Sequence, residues 1–271
     1  MYLLSFKLSE ETVGNPNIYP YNVFRGKEIE PFVFSKITVL YGNNGSGKST
    51  ILNIIANKLK LPGKEYATSN SFGRVDYCGR FSEECAFGLA DDENSGRPIR
   101  SIPKNSRFIK SEDILYEIKK VQQRQVLAEG LLYDCMKAGR TRREAETFLA
   151  SKEGPKLEEL EFGQEKFSNG ETAMQYFDEF LTPDALFLMD EPEISLSPAN
   201  QVALAQEINK MAHFLGCQFI IATHSPFLLG TLDAKIYNID SVDYRVCKWS
   251  ELENVRYFYE FFKKREADFT M

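Results

Sequence analysis

Gly42-Asn43-Asn44-Gly45-Ser46-Gly47-Lys48-Ser49 follows the pattern G-x-x-x-x-G-K-[ST], with Thr50 next in the chain. Glycines at these spacings let a backbone turn so that its N–H groups point at phosphate oxygens. A helix starting there adds a dipole that favours an anion. Lys48 would reach the β- and γ-phosphates of a nucleoside triphosphate, and the Ser49 hydroxyl would ligate Mg²⁺. Far along the chain, Asp190-Glu191 closes the apolar run Ala185-Leu186-Phe187-Leu188-Met189. Asp190 would hold Mg²⁺ through water, and Glu191 would be the base or polariser for an attacking water. Acidic turns after apolar strands are common. It is the pairing with the glycine loop that gives these two carboxylates a chemical reading.

The flanking elements are those such residues need. Ile37-Thr38-Val39-Leu40-Tyr41 is β-branched and apolar and reads as a buried strand before the loop. Ile51, Ile54, Ile55 and Leu59 have helical spacing after it, and Pro62-Gly63 stops that helix. Ala185–Met189 and Phe219–Ala222 are continuous apolar strands. Between them, Ser197-Pro198 caps a helix that ends at Gly216. Continuous apolar strands alternating with helices predict an α/β fold with a mainly parallel sheet covered on both faces. Tyr2, Leu4, Phe6 and Leu8 alternate and predict a half-buried strand. Residues 66–165 differ in composition and predict a partly helical insertion. In it Ser111-Glu112-Asp113 opens one helix, and the capping box Thr141-x-x-Glu144 opens another. The expected organisation is a core of residues 1–65 and 166–271 interrupted by this insertion. Residues 250–265, opening with Ser250-x-x-Glu253, predict a closing helix.

Further motifs bring a family into view. Phe167-Ser168-Asn169-Gly170-Glu171, before Asp190, resembles the signature motif of the ATP-binding-cassette superfamily, usually L-S-G-G-Q. Ile220-Ile221-Ala222-Thr223-His224-Ser225 resembles its switch-histidine segment. Asp190-Glu191-Pro192-Glu193, then Leu196-Ser197-Pro198 and Thr223-His224-Ser225-Pro226-Phe227, look like the RecF/SMC/OLD-type branch, and the whole chain is similar to small bacterial AAA family ATPases of that branch. The resemblance implies a P-loop ATPase head with a mixed or parallel sheet and a helical lid, which binds ATP and Mg²⁺. Ser168 and Gly170 of one subunit would contact the γ-phosphate held by the other, and two heads would dimerise on ATP. His224 would sense the γ-phosphate. His213 reads as a surface or helix-cap residue. The chain departs from the pattern twice. No glutamine stands where the family's Q-loop falls; Glu112 is the nearest substitute, and Gln122, Gln123 and Gln125 lie too deep in a helix. Asn169 replaces a signature glycine.

Composition narrows the rest. Lys plus Arg is 33 against 39 Asp plus Glu, a net charge of −6, which excludes a protein basic all over but leaves room for one basic edge on DNA. Lys137-x-x-Arg140-Thr141-Arg142-Arg143 could contact nucleic-acid phosphates, form a solvated helix start or meet a protein partner; Lys263-Lys264-Arg265 reads the same ways. Tyr19, Tyr21 and Phe24 are candidates either to stack on adenine or to fill the core. No apolar run approaches the ~20 residues of a membrane span, so no membrane insertion is expected. The N-terminus lacks the features of a signal peptide. Cys78, Cys85, Cys135, Cys217 and Cys247 read as free thiols of a cytoplasmic protein. The expected role is ATP-gated dimerisation in DNA maintenance or bacterial defence. The alternatives are an ATPase switch acting on an effector such as a toxin or nuclease, and the ATP-binding subunit of a transporter. The last is disfavoured by Leu196-Ser197 where transporters carry Leu-Asp.

Overall fold

The computed structural model describes residues 1–27, 30–64, 76–91, 96, 99, 101–110, 112–116, 130, 132–133, 135–149 and 169–269. It divides into two compact units, residues 1–111 with 179–271, and residues 112–178.

The first unit is built on a six-stranded sheet in the order β5-β6-β7-β3-β8-β9. Its strands are β3 (Ile37–Tyr41), β5 (Arg107–Lys110), β6 (Leu186–Asp190), β7 (Gln218–Ala222), β8 (Lys235–Asn238) and β9 (Val246–Cys247). All pair in parallel except β9, which runs antiparallel to β8. The expected mainly parallel α/β fold is therefore present. β3 and β7 are buried at every position, as strands covered on both faces must be. Each fully buried Ile, Val or Leu there contributes roughly 1.5–3 kcal/mol. Phe187 and Phe219 stack across β6 and β7 with ring centres 5.3 Å apart.

A second, antiparallel sheet has the order β2-β1-β4, from β1 (Leu3–Lys7), β2 (Phe32–Val33) and β4 (Ala86–Leu89). Here the alternation read from the sequence is corrected. The register of β1 against β4 shifts between Leu3 and Ser5, so Leu3 and Phe6 are both buried while Leu4 faces solvent. Gln218 ties the two sheets: its Oε1 accepts the N–H groups of Tyr2 (2.9 Å) and Leu3 (2.8 Å), and its Nε2 donates to the Leu3 carbonyl (2.8 Å).

Helix α2 (Lys48–Lys58) packs Ile51, Leu52, Ile54, Ile55 and Ala56 into the core. It ends before Pro62, because Lys60 adopts φ 57° and lets the Leu61 N–H reach the Ala56 carbonyl at 2.9 Å. The remaining helices of this unit are α1 (Tyr21–Phe24), α3 (Tyr77–Glu84), α6 (Pro198–Phe214), α7 (Pro226–Thr231) and α8 (Glu253–Lys264). The helix α6 is capped by Ser197 as expected, its hydroxyl accepting the Asn200 N–H at 3.3 Å.

In the second unit, helix α4 (Arg142–Leu149) carries the expected capping box, with Thr141 N–H and Oγ1 both 2.8 Å from Glu144 Oε2. The helix α5 spans Asn169–Phe180, and its last two residues, Glu179 and Phe180, are counted with the first unit. The division falls at 112 and 178, where composition pointed to 66 and 165. The reason is pairing: β4 joins β1 and β5 joins β6, so these two strands belong to the first unit.

Candidate functional site

Three strands of one sheet end side by side and deliver the candidate residues from their C-terminal ends, where ligands of open α/β sheets bind. β3 runs into the loop Gly42–Gly47, and α2 starts at Lys48. Gly45 (φ 82°) and Gly47 (φ 98°) hold left-handed conformations that favour glycine. Gly47 is doubly constrained, because a Cβ there would lie 2.7 Å from Val23 Cγ1 of α1. Asn43, Asn44 and Ser46 complete the loop, with the Ser46 N–H bonded to the Asn43 carbonyl at 3.1 Å. Lys48 is buried and its Nζ donates to the carbonyls of Gly42 (2.7 Å) and Asn43 (3.1 Å), so the ammonium lies along the loop it is expected to serve.

The loop start has an anchor that sequence reading missed. Both carboxylate oxygens of Asp240, just past β8, accept the Asn43 N–H at 3.0 Å. Lys27 holds that segment in turn, donating to the carbonyls of Ile239 (3.2 Å), Asp240 (3.4 Å) and Ser241 (3.0 Å). An acid two residues past an apolar strand, as in Asn238-Ile239-Asp240, was the available signal.

β6 ends in Asp190 and Glu191. Asp190 faces the Ser49 hydroxyl, which joins the second motif to the first. Burial pushes the Asp190 carboxyl up to about 6, with Ser49 pulling the other way and Glu191 adding to the rise. Its Oδ1 is buried with no hydrogen-bond partner. Glu191 sits at φ 47°, a strained backbone for a non-glycine residue, with its N–H held by the Ala222 carbonyl at 2.9 Å.

β7 delivers Thr223 and His224. His224 Nδ1 lies 3.5 Å from Glu191 Oε1 and 3.7 Å from Glu193 Oε1. Glu193 is itself buried. Desolvation raises its carboxyl above the ordinary range, opposed by hydrogen bonds from Thr223 and the His224 N–H. Asn254 of α8 donates to the His224 carbonyl at 2.9 Å.

A hard divalent ion would take the Ser49 hydroxyl and the Asp190 carboxylate, and the unpartnered Oδ1 of Asp190 suits that role. Among the described residues no group of three or more His, Cys, Asp or Glu is arranged to hold a metal ion by itself. The other ligands would be phosphate and water oxygens, the arrangement Mg²⁺ accepts most readily. The residues present thus fit this ion.

The other candidates fall differently. Thr50 follows Ser49 in α2, and the Tyr19 hydroxyl is 3.4 Å from its Oγ1. Tyr19 is half-exposed, whereas Tyr21 and Phe24 are buried around Phe81, so only Tyr19 of the three offers a ring beside the phosphate loop. Ser168 lies outside the described residues, as do Gln122, Gln123 and Gln125; Gly170 is in the first turn of α5, and Glu112 is exposed in the second unit. Arg140 stacks on Phe148 (3.7 Å to the ring centre) and Arg142 pairs with Glu146 (3.0 Å), so half of the basic run already has local partners. His213 lies near the surface, 3.3 Å from Asp233. The five cysteines are free thiols, and no described helix is long and apolar enough to cross a membrane.

No curated protein matches this chain in sequence. Among solved structures it is similar to the SMC head domain from Thermotoga maritima, with 14% identity over 92% of this chain and 99% of that chain and a TM-score of 0.43. It is also similar to an Smc head bound to the C-terminal winged-helix domain of ScpA (16%, 91% and 98%, 0.46). A nucleotide-free ATP-binding cassette from an ABC transporter is a third (17%, 88% and 88%, 0.42). The family model described as "AAA domain, putative AbiEii toxin, Type IV TA system" matches residues 63–230, a span that starts after the glycine loop and contains Asp190, Glu191 and His224. That span is more than half of the chain, and the chain belongs to this family of AAA domains.

Proposed function

We propose that this chain binds Mg·ATP and hydrolyses it at the ends of β3, β6 and β7. The observation that carries this reading is that β3, β7 and β6 lie side by side in one parallel sheet, which brings the loop after β3 and the acidic pair that ends β6, far apart in sequence, to one edge. Gly42, Asn43, Asn44, Gly45, Ser46 and Gly47 would supply backbone N–H groups to the phosphates, and Lys48, Ser49 and Thr50 the side chains. Mg²⁺ held by Ser49 and Asp190 would neutralise charge on the β- and γ-phosphates. Glu191 orients and deprotonates the attacking water, and His224 donates toward the γ-phosphate. Glu191, with φ at 47°, has its carboxylate 3.5 Å from His224 Nδ1. Tyr19 would stack on the base.

The resemblance to ATP-binding-cassette heads extends the proposal to a dimer. Ser168 and Gly170 of one copy would close on the nucleotide of the other, so ATP would join two heads and hydrolysis release them, in the cytoplasm. The test is sedimentation of Glu191→Gln with and without Mg·ATP. A nucleotide-dependent dimer is expected; a monomer under both conditions overturns the dimer while leaving nucleotide binding intact.

The family description favours one reading of purpose. It names a toxin of a toxin–antitoxin system, which supports an ATPase switch in bacterial defence over stand-alone DNA maintenance. The local partners of Arg140 and Arg142 point the same way. Charge reversal at Lys137, Arg140, Arg142 and Arg143 is expected to leave turnover unchanged in the presence of duplex DNA; DNA-stimulated turnover that the reversal abolishes would restore the DNA reading.

A further inference from the structure

β6 and β7 each deliver one half of the catalytic pair, Glu191 and His224, but their ladder stops just short of both. The last pairing is Asp190 with Ala222, followed only by the Glu191 N–H to the Ala222 carbonyl. Beyond that point the two chains diverge, into the turn Pro192–Leu196 and into the start of α7. Something else must hold the imidazole against the Glu191 carboxylate.

The residue placed to do so is Glu193. It is 8% exposed, in a turn closed by the Ile194 N–H on the Glu191 carbonyl (3.2 Å) and the Leu196 N–H on the Glu193 carbonyl (3.0 Å). One oxygen, Oε1, receives the Thr223 hydroxyl at 2.6 Å and the His224 N–H at 3.2 Å. Thr223 Oγ1 donates to this carboxylate and itself accepts the Ser225 N–H at 3.0 Å. The same Oε1 lies 3.7 Å from His224 Nδ1. A single buried oxygen thus bonds both the backbone of the histidine segment and its neighbouring side chain, with the ring alongside. Buried carboxylates are costly unless their oxygens are bonded, and Oε2 here has no partner. Packing alone would be served better by an apolar residue.

We propose that Glu193 is a positioning residue for the hydrolytic step, a side-chain tie that continues the β6–β7 ladder and holds His224 beside Glu191. The proposal rests on the reading of Glu191 and His224 as the residues that act on the γ-phosphate and its attacking water. Glu193 touches neither. It acts through Thr223 and His224, so it sets the rate of the step and not the affinity for nucleotide.

The test is a kinetic cycle on the full chain with Mg·ATP. Glu193→Ala is expected to lower kcat by about 10–100-fold, the range for residues that orient catalytic groups, and to change the Kd for ATP by less than about threefold. Glu193→Gln keeps the Oε1 acceptor and is expected to recover most of kcat. In a His224→Ala background the Glu193→Ala substitution is expected to cost less than about twofold, because residues that act as one unit are non-additive. Equal losses in both backgrounds, or a loss confined to ATP affinity, would overturn the tie. If Glu193→Ala does not fold, Thr223→Val removes one of the donors. It should lower kcat in the same way, with recovery in Thr223→Ser; an unchanged kcat in folded Thr223→Val overturns the proposal. The underlying reading fails separately, by full turnover in Glu191→Gln and His224→Ala.

Discussion

The phosphate loop and the carboxylate–histidine cluster lie at the same edge of the sheet and are built by opposite means. The loop Gly42–Gly47 is a backbone device. Its shape depends on left-handed glycines and on N–H groups, one of which Asp240 fixes from the end of β8. The cluster is a side-chain device. Asp190, Glu191, Glu193 and His224 lie at and just past the ends of two strands, and their placement depends on parallel register and on the bonds that Thr223 and the His224 N–H make to Glu193. A backbone device is spoiled by adding a Cβ. A side-chain device tolerates backbone neighbours and is spoiled by removing one oxygen.

That difference orders the expected effects. The largest is at Lys48, whose ammonium lies along the loop. Lys48→Ala should weaken ATP binding and abolish measurable turnover, a loss of at least about 10³-fold for a group that stabilises phosphoryl charge, read by nucleotide titration and phosphate release. Retained tight binding would show that the loop's N–H groups suffice alone. Next comes His224→Ala, for which a loss of about 10–100-fold in kcat with ATP affinity preserved is expected, the scale of one polar contact made in the transition state. A loss of affinity instead would move His224 from the cluster to the binding apparatus. Gly47→Ala attacks the loop's backbone. Left-handed strain and the contact with Val23 should lower stability by about 1–3 kcal/mol and weaken ATP binding, visible in thermal melts with and without nucleotide.

The smallest effect separates the devices by pH. Folded Asp190 titrates near 6 against 3.8 when unfolded, so the folded chain binds more protons between those values. Stability without Mg²⁺ therefore falls as pH rises through this window, and the deprotonated carboxylate is a net cost at pH 7. Asp190→Asn should raise the melting temperature of the metal-free protein at pH 7, by an amount equivalent to about 1–3 kcal/mol at most, and lose that advantage near pH 4. An equal gain at both values would mean that packing, and not charge burial, is responsible.

The same contrast explains what could be read in advance. The loop was legible because its chemistry is written in consecutive residues, from Gly42 to Ser49. The acidic pair and His224 were legible because each ends a continuous apolar strand. The role of Glu193 was hidden, since it exists only when the β6–β7 register brings Thr223 opposite the turn. Asp240 was hidden for the same reason, being brought to Asn43 by β3–β8 pairing. β4 and β5 were hidden in the span assigned to the insertion, because composition reports polarity while strand pairing decides which sheet a strand joins. The β1 pattern misled because a bulge shifts the face of alternate residues, and alternation carries no mark of it.

The central claim is that Glu191 activates the water that attacks ATP bound by the loop. Its most direct test is phosphate release by the wild type and by Glu191→Gln, measured beside the Kd for Mg·ATP in each. The account predicts near-equal affinities and at least about 100-fold slower release by Glu191→Gln, the scale expected for a general base. Equal release rates, or a wild type that binds no ATP, would contradict it.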